Sequence, residues 1–113
     1  MEINNSVFGG FIVSKNVLAG IPVRYAFREK SAIPQLNGWN VWSDQDDDAY
    51  VNDPTNFEVV TATTLFSIVP VMLELFNADY GTDLGWIYKE GVHVGFVDLK
   101  TNKETTIEEI VKD

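Results

Sequence analysis

Gly38-Trp39-Asn40-Val41-Trp42-Ser43-Asp44-Gln45-Asp46-Asp47-Asp48-Ala49-Tyr50-Val51-Asn52-Asp53-Pro54 joins two tryptophans three residues apart to a run of carboxylates and a tyrosine. Its first half alternates. Trp39, Val41 and Ser43 fall on one side of an extended chain, Asn40 and Trp42 on the other. That period of two predicts a strand with one tryptophan in the core and the other at the surface. Ser43 followed three residues later by Asp46 resembles a capping box with a shortened acid. The acids are then expected in the first turn of a short helix, where the helix dipole favours each by about 0.3–1 kcal/mol. Asn52-Asp53-Pro54 ends that helix.

The charge of the whole chain is concentrated around this stretch. Residues 31–88 contain no Lys or Arg and nine acids, Asp44, Asp46, Asp47, Asp48, Asp53, Glu58, Glu74, Asp79 and Asp83. The rest of the chain carries eight acids and eight bases, so the net charge of -9 arises in the middle segment. An acidic balance of this kind opposes direct binding to nucleic acid and to anionic membranes, and it favours encounter with a basic partner.

Outward from this stretch, short elements follow one another. Phe8 to Ser14 reads as a strand opening on a glycine pair, and Ser14 caps one helical turn that stops at Gly20. In Val23 to Arg28, Val23, Tyr25 and Phe27 alternate with Arg24, Ala26 and Arg28, which predicts one buried and one wet face. Phe57 to Ala62 is a fourth strand. Leu65, Ile68, Val69, Met72, Leu73 and Phe76 form one apolar stripe of a helix with Pro70 in its first regular turn. Leu84 to Tyr88 and Val92 to Asp98 form a hairpin around Lys89-Glu90-Gly91. Lys100 to Lys103 is a polar turn, and Thr105 with Glu108 caps a last helix through Lys112. The expected fold is α+β, one domain over residues 1–113. Its mainly antiparallel sheet has five or six strands, with two to four short helices on one side.

At 45% hydrophobic residues the chain can bury a core, and without cysteine it offers neither disulfide nor thiolate. Residues 1–6 show no basic run leading into an apolar stretch, so no leader is expected and a cytoplasmic location is.

Four carboxylates in five residues first suggest a cation site. Asp44, Asp46 and Asp48 occupy the first three ligand positions of a calcium loop. Ala49 stands where its glycine is needed, however, and Thr55 where its bidentate Glu belongs. No metal or cofactor is expected. Capping uses one or two acids, and each further adjacent pair repels by roughly 0.5 kcal/mol unless a basic partner relieves it. An exposed Trp42 or Tyr50 beside acids has the composition of an interface anchor with a charged rim. His93 is the one histidine and has no second ligand or nucleophile in motif spacing, so no catalytic residues are expected. For Arg28-Glu29-Lys30 the plain reading is an internal ion pair with the acidic segment.

Ser14-Lys15, Arg28-Glu29 after a Pro-Val strand, Gly38-Trp39, Ser43 followed by acids and Tyr50, and Asn52-Asp53-Pro54-Thr55-Asn56 together resemble the bacterial immunity protein 33 family. Pro70, Leu73 and Gly81-Thr82 fit the same pattern, which covers roughly residues 9–88. Leu36-Asn37 and Asp44-Gln45 depart from it. The resemblance implies a non-enzymatic protein that binds and neutralises a bacterial toxin. The acidic patch suits a basic toxin, such as a nuclease built to hold phosphate. Trp42, Asp44, Asp46, Asp47, Asp48 and Tyr50 are the expected partner-binding residues. Arg28, Glu29, Gly38, Trp39 and Pro54 are the expected structural motif. The other reading is a small-ligand or regulatory module with a pocket near Trp39, Trp42 and Arg28. The oligomeric state is left open.

Overall fold

A computed structural model of the chain describes residues 8–111. The first residues, where no leader is expected, and Lys112, the expected end of the last helix, lie outside them. Among the described residues seven strands form one sheet: β1 (Gly10–Ser14), β2 (Val23–Arg28), β3 (Leu36–Ser43), β4 (Phe57–Val60), β5 (Asp83–Lys89), β6 (Val92–Asp98) and β7 (Lys103–Thr105). Their order across the sheet is β4-β1-β3-β2-β5-β6-β7. The β1–β3 pair is parallel and all the others are antiparallel. The sheet is therefore mainly antiparallel, but it has seven strands rather than five or six. The extra strand is β7. Lys103-Glu104-Thr105 carries no apolar alternation, and it is extended because it pairs with Phe96, Val97 and Asp98.

Five short helices accompany the sheet among the described residues, one more than the upper expectation: α1 (Lys15–Leu18), α2 (Asp48–Val51), α3 (Ala62–Ile68), α4 (Val71–Leu75) and α5 (Ile107–Ile110). The expected single helix carrying the Leu65-to-Phe76 stripe is two helices, α3 and α4. Proline disfavours the helical conformation at the preceding residue, and Val69 accordingly sits at φ -129°, ψ 78°. Thr61 caps α3 through the Thr64 amide. The cap of α5 is Thr106 with Glu109, one residue later than Thr105 with Glu108, because Thr105 belongs to β7.

Ala62, Leu65, Phe66, Val69, Met72 and Leu75 of the α3–α4 segment join one core with Phe11, Val13, Trp39, Val41, Leu84, Trp86 and Phe96 of the sheet. Trp39 is fully buried. Withdrawing about 200 Å² of a tryptophan from water stabilises the fold by about 5 kcal/mol before entropy is counted. β2 departs from simple alternation. A register irregularity between Val23 and Tyr25 puts Val23 and Ala26 in the core and leaves Arg24 and Tyr25 exposed. The expected buried face of Val23, Tyr25 and Phe27 is thus broken, and the two aromatics turn to the other side of the sheet.

The β5–β6 hairpin forms as its sequence predicts. Glu90 and Gly91 connect the strands with φ of 52° and 79°, the two positive values of a type I′ turn.

Candidate interaction face

Residues that pair across neighbouring strands share a face of the sheet. Tyr25 lies opposite Trp42, Phe27 opposite Asn40, Ile12 opposite both Asn40 and Val59, and Ser14 opposite Phe57. These pairs belong to the side away from the α3–α4 core. Trp42, near the end of β3, belongs to this face and is half-buried. The Phe27 ring meets it edge-on, with centroids 5.3 Å apart and planes at 81°. The Phe57 ring lies 6.1 Å away on the other flank. Trp42 is also a wall shared by two grooves. One, of about 490 Å³, is lined by Ile12, Asn40, Val51, Pro54, Phe57 and Val59 together with Trp42. The other, of about 270 Å³, is lined by Tyr25, Phe27, Trp42 and Asp83.

The acidic turn follows directly from β3, and its carboxylates have separate surroundings. Asp46 faces inward. Its oxygens accept hydrogen bonds from the Ser43 amide at 2.7 Å, from the Ser43 hydroxyl, and from Asn16 Nδ2 at 2.9 Å. Burial alone would raise its pKa. The bonds from Ser43, Ser14 and Asn16 outweigh that effect and hold the carboxyl below its ordinary value. Ser43 and Asp46 thus make half of the expected capping box, because the Ser43 hydroxyl accepts from the Gln45 amide and not from that of Asp46, and the segment is a turn ahead of the helix. The cap of α2 is Asp47, which accepts from the Tyr50 amide at 2.8 Å. Asp48 opens α2 and is exposed, as is Asp44. Asp44 lies near Tyr88, where burial and then the Asp44 charge push the phenol pKa up. Asp53 caps the 3-10 turn Pro54–Asn56 through Thr55, with Pro54 in its first positions.

Tyr50 is woven into the same region. Its hydroxyl donates to the Asn56 carbonyl at 3.3 Å and accepts from the Asn16 amide at 3.2 Å, while Asn56 Nδ2 returns a bond to the Tyr50 carbonyl. Half-buried Trp42 and exposed Asp44, Asp47 and Asp48 therefore lie together near one end of β3. Asp46 and Tyr50 hold the turn that presents them.

The other sequence-selected residues lie on the core side. Arg28 pairs with Trp39. Its Nε donates to the Asn37 carbonyl, and its Nη1 donates to the carbonyls of Phe76 and Ala78, each at 2.9 Å. It makes these bonds to backbone instead of the expected ion pair with the acidic segment. Trp39 Nε1 donates to the same Phe76 carbonyl at 3.1 Å. Glu29 donates its amide to the Gly38 carbonyl, and Gly38 sits at φ 91° against the Glu29 backbone. Because Trp39 and Arg28 lie on one side of the sheet and Trp42 on the other, the three do not line a common pocket. The ligand pocket expected there is absent from the described residues.

Sequence reasoning missed Tyr25, Phe27 and Phe57 as members of the exposed face. Phe57 lies on β4, separated from the Trp42 strand by β1, so its membership depends on a strand order that no local signal discloses. Nothing local disclosed the β2 irregularity. Another groove, of about 560 Å³, lies by α4, β6 and α5 and includes His93, Phe96 and Ile107. His93 stacks near Trp86, Tyr88 and Phe96, and its Nε2 is 2.9 Å from the Gly95 carbonyl. Burial lowers its pKa more than that contact raises it. No group of three or more His, Cys, Asp or Glu side chains among the described residues is placed to hold a metal ion.

The family model for the immunity protein Imm33 domain matches residues 11–94. The chain belongs to the Imm33 family. The match runs from β1 into β6, so it includes both the Trp42 face and the Arg28 contacts of this Imm33 domain, while β7 and α5 lie beyond it. No curated protein and no solved structure matches the chain. No helix among the described residues is long and apolar enough to cross a membrane.

Proposed function

We propose that this Imm33 domain is a non-enzymatic binding protein that neutralises a cognate toxin, with Trp42 as the anchor of the contact. The observation that carries the reading is the position of Trp42. It lies on the face away from the core, half-buried between Phe27 and Phe57, and it lines two grooves. A large aromatic held in place by neighbours and still accessible is the usual form of a binding hot spot. Asp44, Asp47 and Asp48 supply a negative rim, and Asp46 and Tyr50 keep that rim in position. The partner is a basic protein, such as a toxin whose own cleft is built for phosphate. Opposite charge speeds capture and excludes acidic competitors.

The test is capture from the producing bacterium on the immobilised chain, identification of the tightest partner by mass spectrometry, and co-expression of that partner with the chain. Wild type restores growth to cells making the partner. Trp42→Ala weakens binding by about thirtyfold or more. Asp44→Asn, Asp47→Asn and Asp48→Asn together slow association and reduce its salt dependence. Asn retains the α2 cap at position 47. A partner whose affinity and association rate survive both sets of changes binds elsewhere. A captured protein that is harmless in cells removes the toxin-neutralising role.

A further inference from the structure

The two edges of the sheet are built differently. β7 closes one side and carries Lys103, with Lys100 just before it. Lysine on an edge strand discourages further strand pairing. β4 closes the other side with Phe57, Glu58, Val59 and Val60, and it contains neither lysine nor proline. Its four register pairs with β1 are consecutive, without a bulge. Alternate backbone N–H and C=O groups of such an edge point away from the sheet and have no strand partner among the described residues. Val59 is 63% exposed.

Recognition elements for side chains lie beside this edge. The groove of about 490 Å³ runs from Val59 and Ile12 to Trp42. Gly10 keeps it shallow next to β4, because a Cβ at that position would come within 2.8 Å of Val59 Cγ1. Val59 can therefore lie across β1 instead of standing up as a barrier. An added strand would carry alternate side chains over this surface while its backbone pairs with β4.

Charge decides between occupants. Glu58 lies on the edge itself, and Asp53, just before the 3-10 turn that leads into it, already has Lys15 in its neighbourhood. A second copy of the chain would bring another Glu58 to the same edge. A basic segment meets Glu58 favourably.

We infer that an extended, basic segment of the cognate toxin pairs with β4 as an added edge strand and places alternate apolar side chains in the groove between Val59 and Trp42. This mode rests on the toxin-binding reading above and specifies how the contact is made.

The probe is a capped peptide of about ten residues alternating lysine with valine or tyrosine, a length that spans a short edge strand. A control peptide has glutamate at the lysine positions. Amide hydrogen exchange and backbone resonances of the full chain are followed with each. With the lysine peptide, exchange across Phe57–Val60 slows by about tenfold or more, and the Trp42 indole resonance shifts. Val59→Lys and Glu58→Lys each weaken binding by about tenfold and keep the wild-type melting temperature, because both side chains are exposed. No binding at millimolar peptide overturns the inference. So does equal binding of the glutamate peptide, or protection confined to Lys103–Thr105. Protection of β4 that rises with protein concentration alone makes a second copy the occupant and overturns it too. Growth rescue separates the two levels. If wild type and Val59→Lys rescue equally, strand addition fails and toxin neutralisation stands. If wild type does not rescue, both fall.

Discussion

The guanidinium of Arg28 lies over the ring of Tyr80, with Cζ 4.6 Å from the ring centroid. Beneath that contact the Arg28 main chain accepts a hydrogen bond from the Gly81 amide and donates one to the Thr82 carbonyl. Backbone and side chain of one residue thus hold β2 to the whole segment between α4 and β5. Replacement of Arg28 by Ala leaves the carbonyls of Asn37, Phe76 and Ala78 without this donor and is expected to destabilise the fold by about 3 kcal/mol. Arg28→Lys, which cannot reproduce the fork, is expected to cost about 1–2 kcal/mol. Urea unfolding of the two variants measures both values, and a loss near zero for Ala would show that water replaces the guanidinium.

Gly38 turns the chain at φ 91° where β3 passes the Glu29 backbone. A side chain there meets both an unfavourable backbone conformation and the Glu29 carbonyl. Gly38→Ala is expected to cost about 3 kcal/mol. Gly20 has a similar φ of 101° but open space around it. Gly20→Ala pays the conformational cost alone, about 1 kcal/mol. Thermal unfolding of the pair separates strain from collision.

Asp46 links stability to acid pH. Its carboxyl is held below the ordinary 3.8 in the folded chain. A depressed folded pKa contributes stability that is present above the unfolded value and lost as pH falls through the folded one. The group is partly solvated, so its hydrogen bonds contribute about 1 kcal/mol after screening. Asp46→Ala should lose that amount at pH 7, and the gap to wild type should close as pH drops below 3.8. Denaturant titrations at a series of pH values give the comparison.

His93 acts at higher pH and through the neutral form. Burial sets its folded pKa below the ordinary 6.5. Its contribution is therefore present above the unfolded pKa and lost as pH falls through the folded one. Between pH 7 and 5 the wild type should lose stability that His93→Gln does not lose. Imidazole titration by NMR locates the folded pKa, and a value above 6.5 would reverse the sign.

Alternation over Trp39 to Ser43 was enough to put the two tryptophans on opposite sides of a sheet, and Glu90-Gly91 was enough to place a hairpin. Both signals are local, since each depends on the geometry of neighbouring residues. The features that escaped depend on remote partners. Lys103 to Thr105 is a strand only because β6 lies beside it. Tyr25 and Phe27 reach the open face through an irregularity that appears only when β2 is aligned on β3. Arg28 finds two of its carbonyls at Phe76 and Ala78, far along the chain. In the candidate site, composition drew attention to the acids together. Distinguishing Asp46, bonded to Ser43 and Asn16, from exposed Asp44 and Asp48 required knowing that α1 packs beside the acidic turn.

β1 is the earliest strand in the chain, yet it lies between β3 and β4. During synthesis its β3 flank is complete once residue 43 has emerged and its β4 flank only at residue 60, while the core that Phe11 and Val13 enter also draws on Leu84, Trp86 and Phe96. The β2–β3 and β5–β6 pairs join segments adjacent in sequence and can form without it. Strand β1 is thus made first but gains its second neighbour only when β4 is made, and until then the slot between β3 and β4 is incomplete. While that slot is empty, the exposed sides of β3 and β4 can accept the same segment from a neighbouring nascent chain. Crowded translation on one messenger therefore favours strand exchange as the route by which this protein misassembles.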